Sequence, residues 1–177
     1  YTVLLNSDVR TPAGWLEPLF DYCEAHPEVG AVQPKLLQDR DDDKQMFEYA
    51  GGAGGYLDRY GYPFCRGRVF GEVEADKGQY DSIAPIFWAT GAALMIRRAD
   101  WEAVGGLDGR FFAHMEEIDL CWRFSARGRG IVSVPPRTEY HVGGARLAQP
   151  HRPNKFLDCP NNLLQLYKTV PDRPLKP

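Results

Sequence analysis

Apolar runs and apolar positions at helical spacing alternate along the first part of the chain. The run at residues 1–5 predicts a buried strand. Thr11 as the N-cap and Pro12 as the first helical residue predict a helix that extends to about His26. Its apolar positions share one face: Trp15, Leu16, Leu19, Phe20 and Cys23. A second buried strand is predicted near 29–34, and this strand–helix–strand order indicates the α/β class.

The middle of the chain has a different pattern. Between 38 and 81, aromatic and β-branched residues alternate with glycine, proline and polar residues. This predicts one or two short hairpins that leave the sheet and pack on the core. The charge run at 39–43 predicts a solvated loop, and the glycine-rich run at 51–55 lacks the Lys-Ser/Thr ending of a phosphate loop. We favour a structural flap over an acceptor-binding role for this excursion.

The remaining elements continue the alternation. A strand is predicted at 92–96, and a short helix at 100–104 ends in a glycine pair. A strand at 130–134 is predicted to break at two prolines and to resume at 138–141. The last helix is predicted to have Pro160 in its first turn and to contain Leu163, Leu166 and Tyr167.

Three acids, Glu116, Glu117 and Asp119, fall in the first turn of a further predicted helix. Negative charge is favourable there by roughly 0.3–1 kcal/mol per residue, so the helix dipole alone explains such acids in many proteins. Like charges this close also raise one another's pKa, which suits a general base. Both interpretations stay open on the residues alone.

Two further residues lie at predicted strand ends, where ligands bind in open α/β sheets. Asp8 follows the first strand, and either an Asx-turn or a metal or phosphate site explains an aspartate there. His141 ends a later strand on what should be the same edge, although a lone histidine is more often structural. The loop at 145–155 is basic and contains Arg146, which suits phosphate.

Composition narrows the class of protein. The 177 residues suffice for one domain with a core, predicted at 1–170 and followed by a proline-rich tail at 171–177. The net charge of −3 gives no electrostatic reason to expect nucleic acid. The four cysteines have no CxxC spacing, which predicts free thiols in a reducing compartment and no zinc site. No apolar run reaches the roughly 18 residues of a membrane span. Because the chain opens inside an apolar run, we expect a piece of a longer protein.

Four motifs together resemble a known family. They are Asn6-Ser-Asp8, the segment 88–97 that begins Trp88-Ala-Thr-Gly91, the segment 105–123 around the acids, and Tyr140-His-Val-Gly-Gly144. Their order and spacing are similar to those of family 2 inverting glycosyltransferases of the rhamnosyltransferase-like kind, over nearly all of the chain. The resemblance implies part of a GT-A fold, a mixed sheet flanked by helices. It also implies that the chain is the C-terminal part of that domain, and that the nucleoside pocket would precede Tyr1.

The resemblance also implies roles for individual residues. Asp8 and His141 would bind the Mg²⁺ or Mn²⁺ that bridges the donor diphosphate. Glu117, in place of the family's usual aspartate, would be the general base, with Glu116 as the rival for that role and Asp119 in support. The substrate side would include Asn6, Trp88, Gly91 and Arg146. Two departures from the family pattern are Ala145 after the histidine turn and Pro160 before the pair Asn161-Asn162.

The implied activity is transfer of a sugar, such as rhamnose from its dTDP conjugate, to a saccharide or lipid-linked acceptor in polysaccharide synthesis. The expected place is the cytoplasm, at the inner face of the membrane. Without the nucleoside pocket, the isolated chain is expected to be inactive. The alternative is a non-catalytic GT-A-like module for binding or assembly, which would have no reason to bind a metal. A hydrolase with paired carboxylates does not explain Asp8 and His141.

Overall fold

The computed structural model describes residues 1–39, 45–111, 114–141 and 153–169, except for the side chains of 136–141, 153–159 and 169. The described residues form ten strands and four helices. The strands are β1 (Thr2–Leu5), β2 (Val9–Arg10), β3 (Val29–Gln38), β4 (Gly55–Leu57), β5 (Pro63–Cys65), β6 (Arg68–Val69), β7 (Glu72–Val73), β8 (Ala84–Pro85), β9 (Ala93–Ile96) and β10 (Gly130–His141). The helices are α1 (Leu16–Ala25), α2 (Arg98–Val104), α3 (Glu116–Ser125) and α4 (Pro153–Thr169).

Six of the strands form one mixed sheet. Its order is β1-β9-β3-β10-β2, and β8 also pairs with β10. The β3–β10 pair is parallel, whereas the other pairs are antiparallel. The predicted class is therefore confirmed: the chain is α/β, with a mixed sheet flanked by helices and a hairpin excursion, as in part of a GT-A fold.

Both faces of the sheet are covered, because successive residues of the central strands point to opposite sides. One apolar layer joins the sheet to α1 and includes Leu19, Cys23, Val32, Met95 and Val132. The other joins it to α3 and includes Ala31, Leu94, Ile118, Phe124 and Ile131. The second layer fixes α3 against the sheet, so the acids at the start of that helix have a defined position.

The excursion consists of the hairpins β4–β5 and β6–β7. Lys35 of β3 ties it to the sheet: Nζ lies 2.6 Å from Oδ2 of the buried Asp76 and 2.5 Å from Oδ1 of the exposed Asp81. Packing of its aromatic residues on the core is only partly confirmed. Tyr56 contacts the core, but strands of two or three residues leave one side uncovered. The exposed side chains there include Tyr60, Tyr62, Phe64, Val69 and Phe70.

The predicted start of the first helix is wrong. α1 begins at Leu16 rather than at Pro12, because the chain first pairs β2 with β10 and then turns at Gly14, whose φ is 73°. Its end at Ala25 agrees with the prediction within one residue. Phe20, predicted on the buried face, is 46% exposed, since the sheet covers only the Leu19 side of the helix.

Two strand predictions also need correction. β1 is not fully buried: it lies at the edge of the sheet, and its Val3 and Leu5 are 38% and 45% exposed. The predicted break at the two prolines is a shift of register between Ser133 and Thr138 within one continuous strand, β10. An irregularity in the pairing accommodates the missing proline N–H groups without ending the strand.

The last helix differs most from its prediction. It begins at Pro153, which takes the first-turn place, so Pro160 lies in its interior. The helix contains Leu163, Leu166 and Tyr167 as predicted, but Leu163 and Tyr167 are 62% and 87% exposed. Among its described side chains, the buried ones are the polar Asn161, Asn162 and Gln165, and Leu164 packs against the core. Contacts of Asn161 and Asn162 with other segments hold the helix although Pro160 interrupts it.

The predicted free thiols agree with the described cysteines. Cys23, Cys65 and Cys121 are buried and make no disulfide. Burial raises the pKa of Cys121 to about 12, so this thiol behaves as a small apolar side chain. Among the described residues, no helix combines the length and the apolar character that a bilayer crossing requires.

Candidate active site

The acids of α3 follow an unusual turn. His114 and Met115 both have left-handed backbone, with φ of 67° and 75°. Each such conformation costs about 1–3 kcal/mol in a residue with a side chain, and it persists only where the surroundings hold it. Two contacts hold it here: the Met115 side chain lies in the core, and Asn161 Nδ2 donates to the His114 carbonyl at 2.8 Å. The turn therefore aims the first residues of α3 in a fixed direction.

Glu117 faces Gly91 across a short gap. A Cβ atom placed on Gly91 would lie 3.8 Å from Glu117 Cβ, with no other described atom outside the neighbouring residues within 4 Å. Glu116 and Glu117 are only partly buried as residues, yet one oxygen of each, Oε2, is inaccessible and has no hydrogen-bond partner among the described atoms. An acid next to an open glycine is a suitable place for a hydroxyl group to approach.

The pKa of Glu117 is raised to about 8. Burial is the main cause, and the negative charges of Glu116 and Glu48 add to it. Hydrogen bonds from the backbone N–H groups of Glu117 and Ile118 lower the pKa; the first is weaker than burial and the charge of Glu116 but stronger than the charge of Glu48. A carboxylate with this pKa binds a proton well near neutral pH, as a general base must.

The turn after β1 lies beside the same glycine. The Asn6 N–H donates to the Ala92 carbonyl at 2.9 Å, and the Val9 N–H donates to the Asn6 carbonyl at 3.1 Å. Asp8 is exposed within this turn. The turn that holds Asn6 and Asp8 is therefore hydrogen-bonded to Ala92. The neighbour of Ala92, Gly91, lies beside Glu117.

His141 reaches the same edge by strand pairing. In the β2–β10 pair its backbone lies opposite Val9, the neighbour of Asp8. Asp8, in the turn just before β2, and the backbone of His141, on the neighbouring β10, thus come to one place in the sheet, although 133 positions separate the two residues. The side chain of His141 and the whole of Arg146 lie outside the described residues.

Trp88 occupies the wall behind this site rather than its surface. Its ring is buried, and its Nε1 donates to the Tyr56 carbonyl at 2.9 Å. Gly51 and Gly55 cover the ring so closely that a Cβ atom on Gly55 would lie 1.9 Å from it. The glycine-rich run therefore serves close packing. Direct contact between Trp88 and an acceptor stays a prediction.

Asp119 is held apart from the other two acids. It is fully buried, with one oxygen 2.8 Å from Arg123 Nε and the other 2.6 Å from Lys168 Nζ. Lys168 also binds Asp108, whose pKa is lowered below the usual range chiefly by its hydrogen bonds to Arg110 and then to Lys168. These contacts anchor α3 to its neighbours, and a supporting role for Asp119 in chemistry stays a prediction.

The sequence analysis missed one acid of this region, Glu48. It is 3% exposed, and its Oε2 accepts a hydrogen bond from the Ala50 N–H at 2.7 Å. Its charge reaches Glu117 and contributes to the raised pKa of that residue. The sequence held one signal that Glu48 is buried: it lies between Phe47 and Tyr49 in an apolar stretch, whereas the acids of a solvated loop have polar neighbours.

The donor set at the sheet edge fits a hard divalent cation. No group of three or more His, Cys, Asp or Glu side chains within the described part of the chain is placed to hold a metal ion. Mg²⁺ and Mn²⁺ in phosphate sites do not require such a cage, because substrate oxygens and water complete their coordination. The described part of the predicted pair is the carboxylate of Asp8, with the backbone of His141 opposite Val9; an oxygen ligand of this kind suits such a cation.

Comparisons with known proteins identify similar chains. No protein-family model matches. The N-acetylglucosaminyl-diphospho-decaprenol L-rhamnosyltransferase of Mycobacterium tuberculosis is 28% identical over 149 residues, which are 80% of this chain and 46% of that protein. Rhamnosyltransferase WbbL of Escherichia coli is 28% identical over 76% of this chain and 49% of its own length. The O-antigen biosynthesis protein RfbC of Myxococcus xanthus is 29% identical over 82% of this chain and 11% of its own.

The chain spans about half the length of the first two relatives and a ninth of the third. The aligned part includes most of the chain, as the four motifs predicted. These matches confirm the resemblance: the chain is similar to bacterial rhamnosyltransferases over most of its length, and its mixed sheet is consistent with part of a GT-A fold.

Proposed function

We propose that the chain supplies the base and the metal-binding elements of an inverting, metal-dependent glycosyltransferase of family 2. The donor is a nucleoside-diphosphate sugar, and the acceptor is a hydroxyl group of a saccharide or lipid-linked saccharide. The observation that supports this most is the approach of distant motifs: Asn6 is hydrogen-bonded to Ala92, whose neighbour Gly91 lies beside Glu117, and the backbone of His141 pairs with Val9, the residue after Asp8.

In this proposal Glu117 takes the proton of the acceptor hydroxyl. The acceptor oxygen forms a bond to the anomeric carbon as the bond from that carbon to the diphosphate oxygen breaks. The electron pair of the broken bond leaves with the nucleoside diphosphate, and a single displacement inverts the anomeric centre. One carboxylate on the acceptor side suffices for this step.

In this proposal the acceptor hydroxyl approaches beside Gly91, whose Cα side faces the Cβ of Glu117. The left-handed turn at His114 and Met115 immediately precedes Glu117 and fixes the start of its helix. Asp8 and His141 would hold Mg²⁺ or Mn²⁺, which when bound neutralises charge on the leaving diphosphate. The names of the relatives support a deoxyhexose donor of the rhamnose type, and one of them names a diphospho-decaprenol acceptor.

The competing proposal is a GT-A-like module without catalysis, for binding or assembly. Such a module needs neither a metal site nor an acid of raised pKa beside an open glycine. The raised pKa of Glu117 and the open Gly91 favour the transferase.

Calorimetric titration of Mn²⁺ with dTDP or UDP into the full-length protein distinguishes the two proposals. We expect saturable binding that Asp8→Ala and His141→Ala each weaken at least tenfold, because one of the few protein ligands is lost. Asp21→Ala is the matched control, an exposed aspartate on α1 away from the site. Binding that is absent in the wild type, or that is unaffected by either site variant, would contradict the transferase.

A further inference from the structure

Helix α4 contacts α3 on both sides of the acids Glu116 and Glu117. Before them, Asn161 Nδ2 donates to the His114 carbonyl at 2.8 Å. After them, Lys168 Nζ donates to Asp119 Oδ1 at 2.6 Å. The short segment that carries the two acids is therefore held between two polar contacts from one helix.

Both contacts are shielded from water. Asn161 is 7% exposed, and the side chain of Lys168 is 15% exposed. Lys168 also lies 2.6 Å from Asp108 Oδ2 and 5.0 Å from the centre of the Phe111 ring, so it joins the residues before the turn to those after it. In such surroundings a hydrogen bond or ion pair is costly to leave unmade.

The segment between the contacts needs a restraint. His114 and Met115 are both left-handed, and Met115, the N-cap residue, makes no capping hydrogen bond with its side chain. Met115 is fixed by burial in the core, whereas the contact described for His114 is that of its carbonyl with Asn161. Relaxation of this peptide towards ordinary backbone would rotate the first turn of α3, and with it the direction in which Glu117 points.

We infer that Asn161 is a positioning residue: through the His114 carbonyl it holds the left-handed turn that precedes Glu117 and keeps that residue in its place beside Gly91. The inference rests on the proposed function, which makes Glu117 the base. It also gives a role to the Asn161-Asn162 pair, which the sequence motifs singled out and the proposed chemistry does not use.

The neighbouring Asn162 provides a matched control. It lies on the same helix and is also 7% exposed. Its Nδ2 donates to a backbone carbonyl as well, that of Gly61 at 3.1 Å. Gly61 belongs to the turn between β4 and β5, which carries none of the proposed site residues. Loss of either amide should thus affect stability similarly, but only one of them acts on the turn before Glu117.

The test compares Asn161→Leu with Asn162→Leu in the full-length protein. Leucine has nearly the shape of asparagine and cannot donate; alanine replaces it at both positions if the leucine variants fail to fold. We expect Asn161→Leu to lower kcat about tenfold or more, since small displacements of a catalytic group have large effects on rate. KM for the donor should stay within twofold. Asn162→Leu should keep kcat within twofold at a similar loss of Tm.

Hydrogen exchange gives a readout that does not depend on transfer. The amides of 116–118 should exchange at least tenfold faster in Asn161→Leu than in Asn162→Leu. Equal exchange there in the two variants, or equal kcat in the two variants, would overturn the inference. Absence of transfer in the wild type would instead overturn the proposed function, and the exchange comparison would still decide whether Asn161 holds the turn.

Discussion

At the scale of single residues, environment separates three acids that look equivalent in the sequence. Asp119 is buried against Arg123 and Lys168, so its charge is neutralised. Glu117 has an oxygen with no such partner among the described atoms, and burial raises its pKa to about 8. The sequence could predict that the acids begin a helix, because the spacing of the apolar residues determines where that helix lies. It could not predict which acid is paired, because Lys168 arrives from a helix about 50 positions away.

The raised pKa of Glu117 predicts how stability depends on pH. The folded protein binds this proton more tightly than the unfolded chain, so the contribution is favourable below pH 4.5 and is lost as pH rises towards 8. Glu117→Gln lacks this titration. Its free energy of unfolding should exceed that of the wild type by an amount that grows between pH 5 and pH 9, to roughly 3–5 kcal/mol.

Urea unfolding at pH 5, 7 and 9 measures this difference. Glu17→Gln is the matched control, since Glu17 is also a first-turn acid but lies exposed on α1. Its stability curve should run parallel to that of the wild type. A constant offset between Glu117→Gln and the wild type across this range would show that Glu117 has an ordinary pKa.

At the scale of elements, local sequence patterns predicted correctly the helix ends and strands that depend on residues adjacent in sequence. Buried runs predicted β3 and β9, and the glycine pair predicted the end of α2, where Gly105 is left-handed. Local sequence patterns failed where contacts between distant segments determine whether an element continues. α4 continues through Pro160 because amides on its buried side bind other segments, and β10 continues past two prolines through a register shift.

The glycine-rich run at 51–55 resembles a ligand-binding loop in sequence, but its glycines are required for close packing on Trp88. Gly55→Ala should strongly destabilise the fold, because its Cβ would lie 1.9 Å from Trp88. We expect a loss of about 1–3 kcal/mol or more in the free energy of unfolding. Gly71→Ala, with no atom within 4 Å of the added Cβ, should change it little. Similar losses of Tm in the two variants would contradict this account of the run.

At the scale of the whole molecule, the sheet assembles the candidate site. Pairing of β2 with β10 places His141 beside the Asp8 turn, and the turn after β1 is joined to Ala92 next to Gly91. The order of the motifs could predict which residues form one site, but it could not predict the distances between them. The contribution of Glu48 and the restraint from Asn161 could not be predicted, because both act through contacts between segments far apart in sequence.

The most direct test of the account is the pH–rate profile of sugar transfer by the full-length protein and its Glu117→Gln variant. For the wild type, kcat/KM should rise with pH up to about 8, as the base loses its proton. Glu117→Gln should lose about 10²–10⁴-fold in rate together with this pH dependence, and Glu17→Gln should match the wild type. A Glu117→Gln variant that transfers sugar within a few-fold of the wild type, with the same pH profile, would contradict the assignment of Glu117 as the base.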